Sequence, residues 1–403
     1  MGFAFRHGMS VSPGTAASPR APTLDSPAGV QCTAPVPRLR RAGIAAAIAA
    51  TPLALAYRFA LVYRRRAGYP HPRPPSLDPS ARGLAFEDVV VPSPGTAGLP
   101  GWFLPARSGE PGPGVAIVHG WESARDRTLP IAEFLVAAGY HCLTIDVRGH
   151  GANPPETLPV SAGEFGTDAL AAFEALIARP EVTVGAIAGH SLGGIGALLA
   201  GAADSRVAAV VSTSAPAEPN LLTRLTFRLA NLPIPGPIAV PLAWLTTRVY
   251  LRPRGHRVGE VSASRALVEI VAAGRPVLLI HGTADDVVPP IHLGRLLAAA
   301  ERAGRPAESL VVDEGRHSWL HEFDAYRRTV AAFLARNLGG PYSPEEAAER
   351  AAAVPALRIP DPEQGFSAVE SEPGGLRSLA RLAVPNPPLP MPSEPELPAE
   401  AVS

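Results

Sequence analysis

Between residues 86 and 340 the chain alternates short apolar runs with longer stretches of helical period. Mostly apolar runs fall at Val115–Val118, His141–Val147, Val182–Ala188, Val207–Ser212, Pro276–Ile280 and Ser309–Val312. Such runs predict buried strands, and helical periods separate them. One such period sets Leu320, Phe323, Tyr326, Val330 and Phe333 on a single helix face. Two further strand-like runs, Phe86–Val91 and Gly101–Pro105, flank a Pro-Ser-Pro-Gly turn and predict an antiparallel pair. Strands alternating with helices predict an α/β fold with a mostly parallel sheet covered on both sides. The alternation is interrupted between Pro216 and Ser264. There Leu221, Leu222, Leu225, Phe227 and Leu229 precede a proline-broken middle and a second apolar run, Leu242 to Leu251. This stretch predicts a small helical lid over about 216–264.

Proline marks the limits of the packed region. Of 47 prolines, 31 lie outside residues 114–340, so both ends are poor material for regular packing. Residues 1–37 read as a leader, 67–85 as a Pro/Arg linker and 341–403 as a Pro/Glu-rich tail. Ser343-Pro344-Glu345-Glu346 there predicts the start of one short helix. Residues 38–66 are different. Ala42–Tyr57 is apolar, Arg38, Arg40 and Arg41 precede it, and extension through Phe59–Tyr63 reaches spanning length by including Arg58. The preferred reading is a membrane anchor over 42–63, with an export signal or a membrane-surface helix as alternatives. Ala54-Leu55-Ala56 resembles a cleavage site, but Arg64-Arg65-Arg66 beyond the segment opposes export. The side of the membrane stays open, and so does a purely cytoplasmic location.

Charge changes the picture little. Formal net charge is zero and gives no sign of a nucleic-acid partner. Residues 1–85 carry 11 Arg against 2 Asp, while 342–403 carry 10 acids against 4 Arg, so the strong charges belong to the tails. Cys32 and Cys142 lie in unlike regions, predicting neither a disulfide nor a metal cluster.

Gly189-His190-Ser191-Leu192-Gly193 carries the chemistry. A G-x-S-x-G between a buried strand and a small-residue helix is the pattern of a nucleophile elbow, a strained turn that exposes the serine oxygen at the sheet's carboxyl edge. A serine hydroxyl needs a base, and the base needs a carboxylate. In such a fold both follow the serine, acid first. His281–Pro289 follows the strand Pro276–Ile280 and offers Asp285, with Asp286 in reserve. His317 lies just past the last strand. His321, one turn into the next helix, reads as a surface residue, and His256 and His292 are equally weak candidates. Oxyanion donors are expected from the backbone N–H of Leu192 and of Trp121, in the turn Val118-His119-Gly120-Trp121. The Trp121 indole either walls an acyl pocket or packs in the core. His119 and His281, each before a glycine at a strand end, read as structural.

Taken in order, the His119-Gly120 turn, Asp146-Val147-Arg148-Gly149-His150-Gly151, the Gly189–Gly193 elbow, Gly282-x-x-Asp285 and His317 resemble the α/β-hydrolase superfamily over about residues 86–338. The Asp146–Gly151 turn is similar to that of esterase-like, lipase-like and serine-aminopeptidase-like members. The resemblance implies an eight-stranded sheet, a lid after the sixth strand and no cofactor. A serine at position 191 sets the chain apart from branches with aspartate there. The expected activity is hydrolysis of a small carboxylic ester with an apolar group, through an acyl-enzyme on Ser191, Asp285 and His317. An acyltransferase or small-substrate peptidase would use the same residues. A non-catalytic, membrane-tethered binding protein is the alternative of another class. Substrate and oligomeric state are not legible.

Overall fold

In the computed structural model, residues 38–357 and 359 are described; the leader 1–37 and the tail from 361 lie outside them. Two units are distinguished, one ending at Thr51 and one starting at Pro52. The boundary falls inside the first helix, α1 (Arg38–Ala67), at an internal proline.

The second unit is built on eight strands. They are β1 (Glu87–Val91), β2 (Leu99–Leu104), β3 (Gly112–Val118), β4 (His141–Ile145), β5 (Val182–His190), β6 (Val207–Thr213), β7 (Val277–Gly282) and β8 (Glu308–Val312), in the spatial order β1-β2-β4-β3-β5-β6-β7-β8. The first two pair antiparallel, β2 pairs antiparallel with β4, and every later pairing is parallel. All eight strands predicted from the apolar runs are present, with ends shifted by a few residues. The middle strands are buried almost throughout, as parallel strands covered on both faces must be. The outer strands β1 and β8 expose three of their five residues and carry Glu87 and Glu308, which meet Arg179 and Arg336. Charge on an outer strand discourages pairing with another chain.

Helices cover both faces. Between the strands run α2 (Leu129–Ala137), α3 (Ala162–Ile177), α4 (Leu192–Ala203), α5 (Pro219–Leu229), α6 (Gly236–Leu251), α7 (Ala263–Ala272) and α8 (Ile291–Arg302), and α9 (Asp324–Leu338) and α10 (Pro344–Ala352) follow β8. Alternation along β3 divides the core. Ala116 and Val118 join Phe165 and Phe173 of α3, Leu198 of α4 and Leu267 of α7 on one face. Val115 and Ile117 join Phe134 of α2, with Val330 and Phe333 of α9, on the other. Ser343 caps α10, with its side chain on the Glu346 N–H and the Glu346 carboxylate returning to the Ser343 N–H. Between β6 and β7 lie α5 and α6. They pack with Phe59 and Tyr63 of α1 around Phe227, Leu232 and Ala243.

Two expectations need correction. Leu320 and Phe323 do not extend α9. Trp319 adopts a left-handed conformation (φ +68°), Leu320–Glu322 form a separate 3₁₀ turn, and the helix starts at Asp324. For the same reason His321 is not a surface helix residue. It is buried in that turn, and its Nε2 donates to the Leu357 carbonyl, which lies beyond α10. His292 is likewise buried, accepting the Ala217 N–H on Nδ1. His256 is half-buried against Glu164.

One ion pair is sealed inside. Arg148 Nε lies 3.0 Å from Asp168 Oδ2, its N–H donates to the same carboxylate, and its Nη2 reaches Ser93 Oγ. Asp168 is fully buried. Removing one partner of such a pair strands the other charge, at a cost of about 3–5 kcal/mol. Asp168→Ala is therefore expected to lose that much in urea unfolding. By contrast Glu269→Gln, which breaks the exposed α7 pair with Arg265, should lose under about 1 kcal/mol. Equal losses would show that the buried pair does not hold β4's end to α3.

Candidate active site

Ser191 sits between β5 and α4 with φ +56° and ψ −119°, a conformation that strains any residue with a side chain. The turn closes because its neighbours lack side chains. A Cβ on Gly189 would lie 2.1 Å from the Gly193 carbonyl oxygen, and one on Gly193 would lie 2.3 Å from that of Val118. The backbone is pinned from the next strand, since Ser191 N–H donates to Thr213 O at 2.9 Å.

The candidate acid and the candidate base stand on the adjacent loops, after β7 and β8. Those loops are stitched together: Thr283 N–H donates to Val312 O, Ala284 N–H to Gly315 O, and Glu314 N–H to Thr283 Oγ1. The stitching brings Asp285 Oδ2 within 2.9 Å of His317 Nδ1, and His317 Nε2 within 3.1 Å of Ser191 Oγ. Asp285 is sealed from solvent, whereas His317 keeps 14% of its side chain exposed and Ser191 is half-buried. Burial opposes ionisation of Asp285, but hydrogen bonds from His281 and His317 and from the Val288 N–H outweigh it. Its carboxyl stays below the usual range. Asp286, the reserve acid, is exposed, and its carbonyl accepts from Arg228 of α5.

Two histidines flank these residues: His281, which the sequence reads as structural, and His190, which it does not single out. His190 donates from Nε2 to the carbonyl of His317 at 2.7 Å, and the two rings lie 4.8 Å apart. His281 donates to Val288 O at 2.7 Å and lies 3.3 Å from Asp285 Oδ2. Position before a glycine was the only local signal for His281, and the variable position of the elbow the only one for His190.

The turn after β3 abuts the serine. A Cβ on Gly120 would come within 3.1 Å of Ser191 Cβ. Among the described residues, no acceptor takes the N–H of Trp121 or of Leu192, the first residue of α4. His119 braces this turn, donating from Nδ1 to Gly120 O and accepting the Val147 N–H on Nε2. Asp146 braces it from below, taking the Arg125 N–H and guanidinium and the Ala152 N–H. The Trp121 ring is half-buried against His150 and Phe165. Among the described residues no cluster of metal-ligating side chains occurs.

Residues 109–254 match the family model described as serine aminopeptidase, S33, and residues 238–341 match the prolyl oligopeptidase family. An uncharacterized protein of Mycobacterium tuberculosis is 32% identical over 247 residues, 61% of this chain and 76% of its own length. The chain belongs to the α/β-hydrolase superfamily. The α/β hydrolase domain-containing protein WAV2 of Arabidopsis thaliana is 24% identical over 285 residues, 68% of this chain and 84% of its own. An esterase of Pyrococcus furiosus shares the fold at a TM-score of 0.53 and 22% identity, over 67% of this chain and all of its own. The chain is an enzyme of the α/β serine-hydrolase type, and both family models that it matches carry peptidase descriptions.

Burial keeps several histidines around the site neutral. It lowers His150 and His190 to about 3 and His292 to about 4, with His119, His317 and His281 respectively adding repulsion. His119 is lowered by burial too. In an unfolded chain each would titrate near about 6.5. Between the folded and unfolded values the unfolded state binds more protons, so stability rises with pH across that window. The contribution is complete above about 6.5 and is lost as pH falls toward the folded values. Melting temperature should therefore drop steadily as pH is lowered from neutral into that window, followed by calorimetry. A flat profile would mean that these rings accept protons within the fold.

Proposed function

We propose that the protein hydrolyses carboxylic esters of small molecules with an apolar group, through an acyl-enzyme on Ser191. The supporting observation is the unbroken line of contacts from a sealed carboxylate through an imidazole to a strained, half-exposed serine. Asp285 accepts Nδ1–H of His317 and thereby leaves Nε2 free to take the Ser191 proton. Ser191 Oγ then attacks the acyl carbon. The oxygen that becomes negative is met by the N–H of Leu192 and Trp121, the former also at the positive end of α4. His317 returns the proton to the leaving alcohol, and water repeats the sequence to release the acid. Each oxyanion donor of this kind is worth about 3–4 kcal/mol in the transition state.

The apolar preference rests on the stretch between β6 and β7, read as a lid. Its α5 reaches the acid loop through Arg228 and Asp286 O, so it lies at the site's edge. The peptidase descriptions of both matching family models favour a second reading, an amide substrate on the same residues. Membrane attachment belongs to the proposal as well. In α1, Ala45–Ala67 is long and apolar enough to cross a bilayer, and Arg64, Arg65 and Arg66 stand in its last turn.

A fluorophosphonate probe should label the full chain and leave Ser191→Ala unlabelled; an unlabelled, well-folded parent would favour a binding protein instead. On p-nitrophenyl esters, Asp285→Asn is expected to lower kcat by about 10⁴-fold, while Asp286→Asn stays near the parent. Reversed results would assign the acid to Asp286. Faster turnover of aminoacyl p-nitroanilides than of the matching esters would instead select the peptidase reading.

A further inference from the structure

The outer face of α6 is built against expectation for a surface helix. Ile238, Val240 and Trp244 are each more than half exposed; Trp244 lines up with Pro237 and Pro241, and Ile238 and Val240 flank that line on either side. The opposite face carries the buried Ala243, Thr246, Thr247 and Val249. Apolar residues exposed singly are ordinary, but three large ones with two prolines around the first turns of one helix form a patch that asks for a partner. The character of the row changes along the helix. Arg248 lies over the Trp244 ring at 3.7 Å, and past α6 the chain opens a cavity of about 540 Å³ lined by Arg248, Arg252, His256 and Arg257. The carboxylates nearby are few. Glu164 is already engaged by Arg254 and His256, and Glu260 pairs only loosely with Arg257 at 4.0 Å. Arg248 spends one N–H on the Trp244 carbonyl and meets no acid among the described residues.

This order, apolar side chains, then tryptophan, then arginines, matches the profile of a lipid leaflet from acyl chains to headgroups. Tryptophan is enriched at that boundary, arginine stems extend to reach the phosphates, and anionic lipid attracts basic clusters. The neighbouring helix points to the same partner. From Pro52 on, α1 exposes Leu53, Leu55 and Tyr57 and then fastens to α5 and α6. Phe59 and Tyr63 pack edge-on against Phe227, and Arg64 donates to Val249 O.

We propose that the exposed face of α6 docks on an anionic phospholipid surface, with Ile238, Val240 and Trp244 among the acyl chains and Arg248, Arg252 and Arg257 on the phosphates. This rests on the membrane attachment proposed for α1. It adds that the lid itself lies on the bilayer, so that an ester dissolved in the leaflet reaches the site from that side.

The test uses the full chain carrying Cys32→Ser and Ile238→Cys, labelled at residue 238 with an environment-sensitive fluorophore; the remaining thiol, Cys142, is buried. Protein is floated with vesicles of phosphatidylcholine mixed with phosphatidylglycerol. Docking predicts blue-shifted emission that nitroxide-bearing lipids quench. It also predicts a drop in bound signal of at least about fivefold for Arg248→Glu with Arg252→Glu, while hydrolysis of soluble p-nitrophenyl acetate is unchanged. Floated protein with water-like, unquenched emission overturns the docking and leaves the anchor standing. Protein that does not float overturns both. Equal quenching in pure phosphatidylcholine, insensitive to the charge reversals, overturns the assignment to anionic lipid.

Discussion

The turn from β5 into α4 is the constraint on which the site depends. Its serine backbone occupies a region that costs about 1–3 kcal/mol, so surrounding structure must hold it there. Three things do. The strand β5 is central, paired on both sides by β3 and β6. The absence of a Cβ at Gly189 lets the two arms of the turn close on each other, and its absence at Gly193 lets the end of β3 press against the turn. The helix α4 is buried through Ile195, Ala197 and Leu198, so it cannot tilt to relax the strain. The serine oxygen is thereby presented where the loops of β7 and β8 end.

Much of this was legible in the chain, and the reason is physical. A parallel sheet buried on both faces demands continuous apolar runs, and such runs stand out against helices of period 3.6. The elbow was legible because the steric demand is so severe that only glycines satisfy it. The order of elements then limited which aspartate and histidine could reach the same edge. Adjacent side chains on a loop point in different directions, so Asp285 and Asp286 were alternatives, and the bonds of Asp285 to Val288 N–H and His281 are what turn the first of the pair inward.

Burial of individual polar residues was far less legible. His321 and His292 look like surface histidines because their local periods put them there. Each is covered by a segment distant in sequence, the chain around Leu357 in one case and Ala217 in the other. His190 poses the same problem in a sharper form. Its position in the elbow motif tolerates many residue types, and only the packing of the β8 loop reveals that its ring supports His317. Local pattern reports the element to which a residue belongs; it does not report what arrives later to cover it.

The Asp146–Gly151 segment separates recognition of a family from recognition of chemistry. It was among the clearest points of resemblance, yet its side chains bond elsewhere than to Ser191, His317 or Asp285. Asp146 holds Arg125 and the chain before it, and the Val147 N–H holds His119, so the segment fixes the turn that carries Gly120 and Trp121. A donor aimed at a developing oxyanion is effective only if it need not reorganise as charge appears. A buried carboxylate with three donors, and a neutral histidine bridging two strand ends, provide that rigidity at a distance. The motif is informative because it supports the candidate site from behind, where a small displacement would move the proposed oxyanion donor at Trp121.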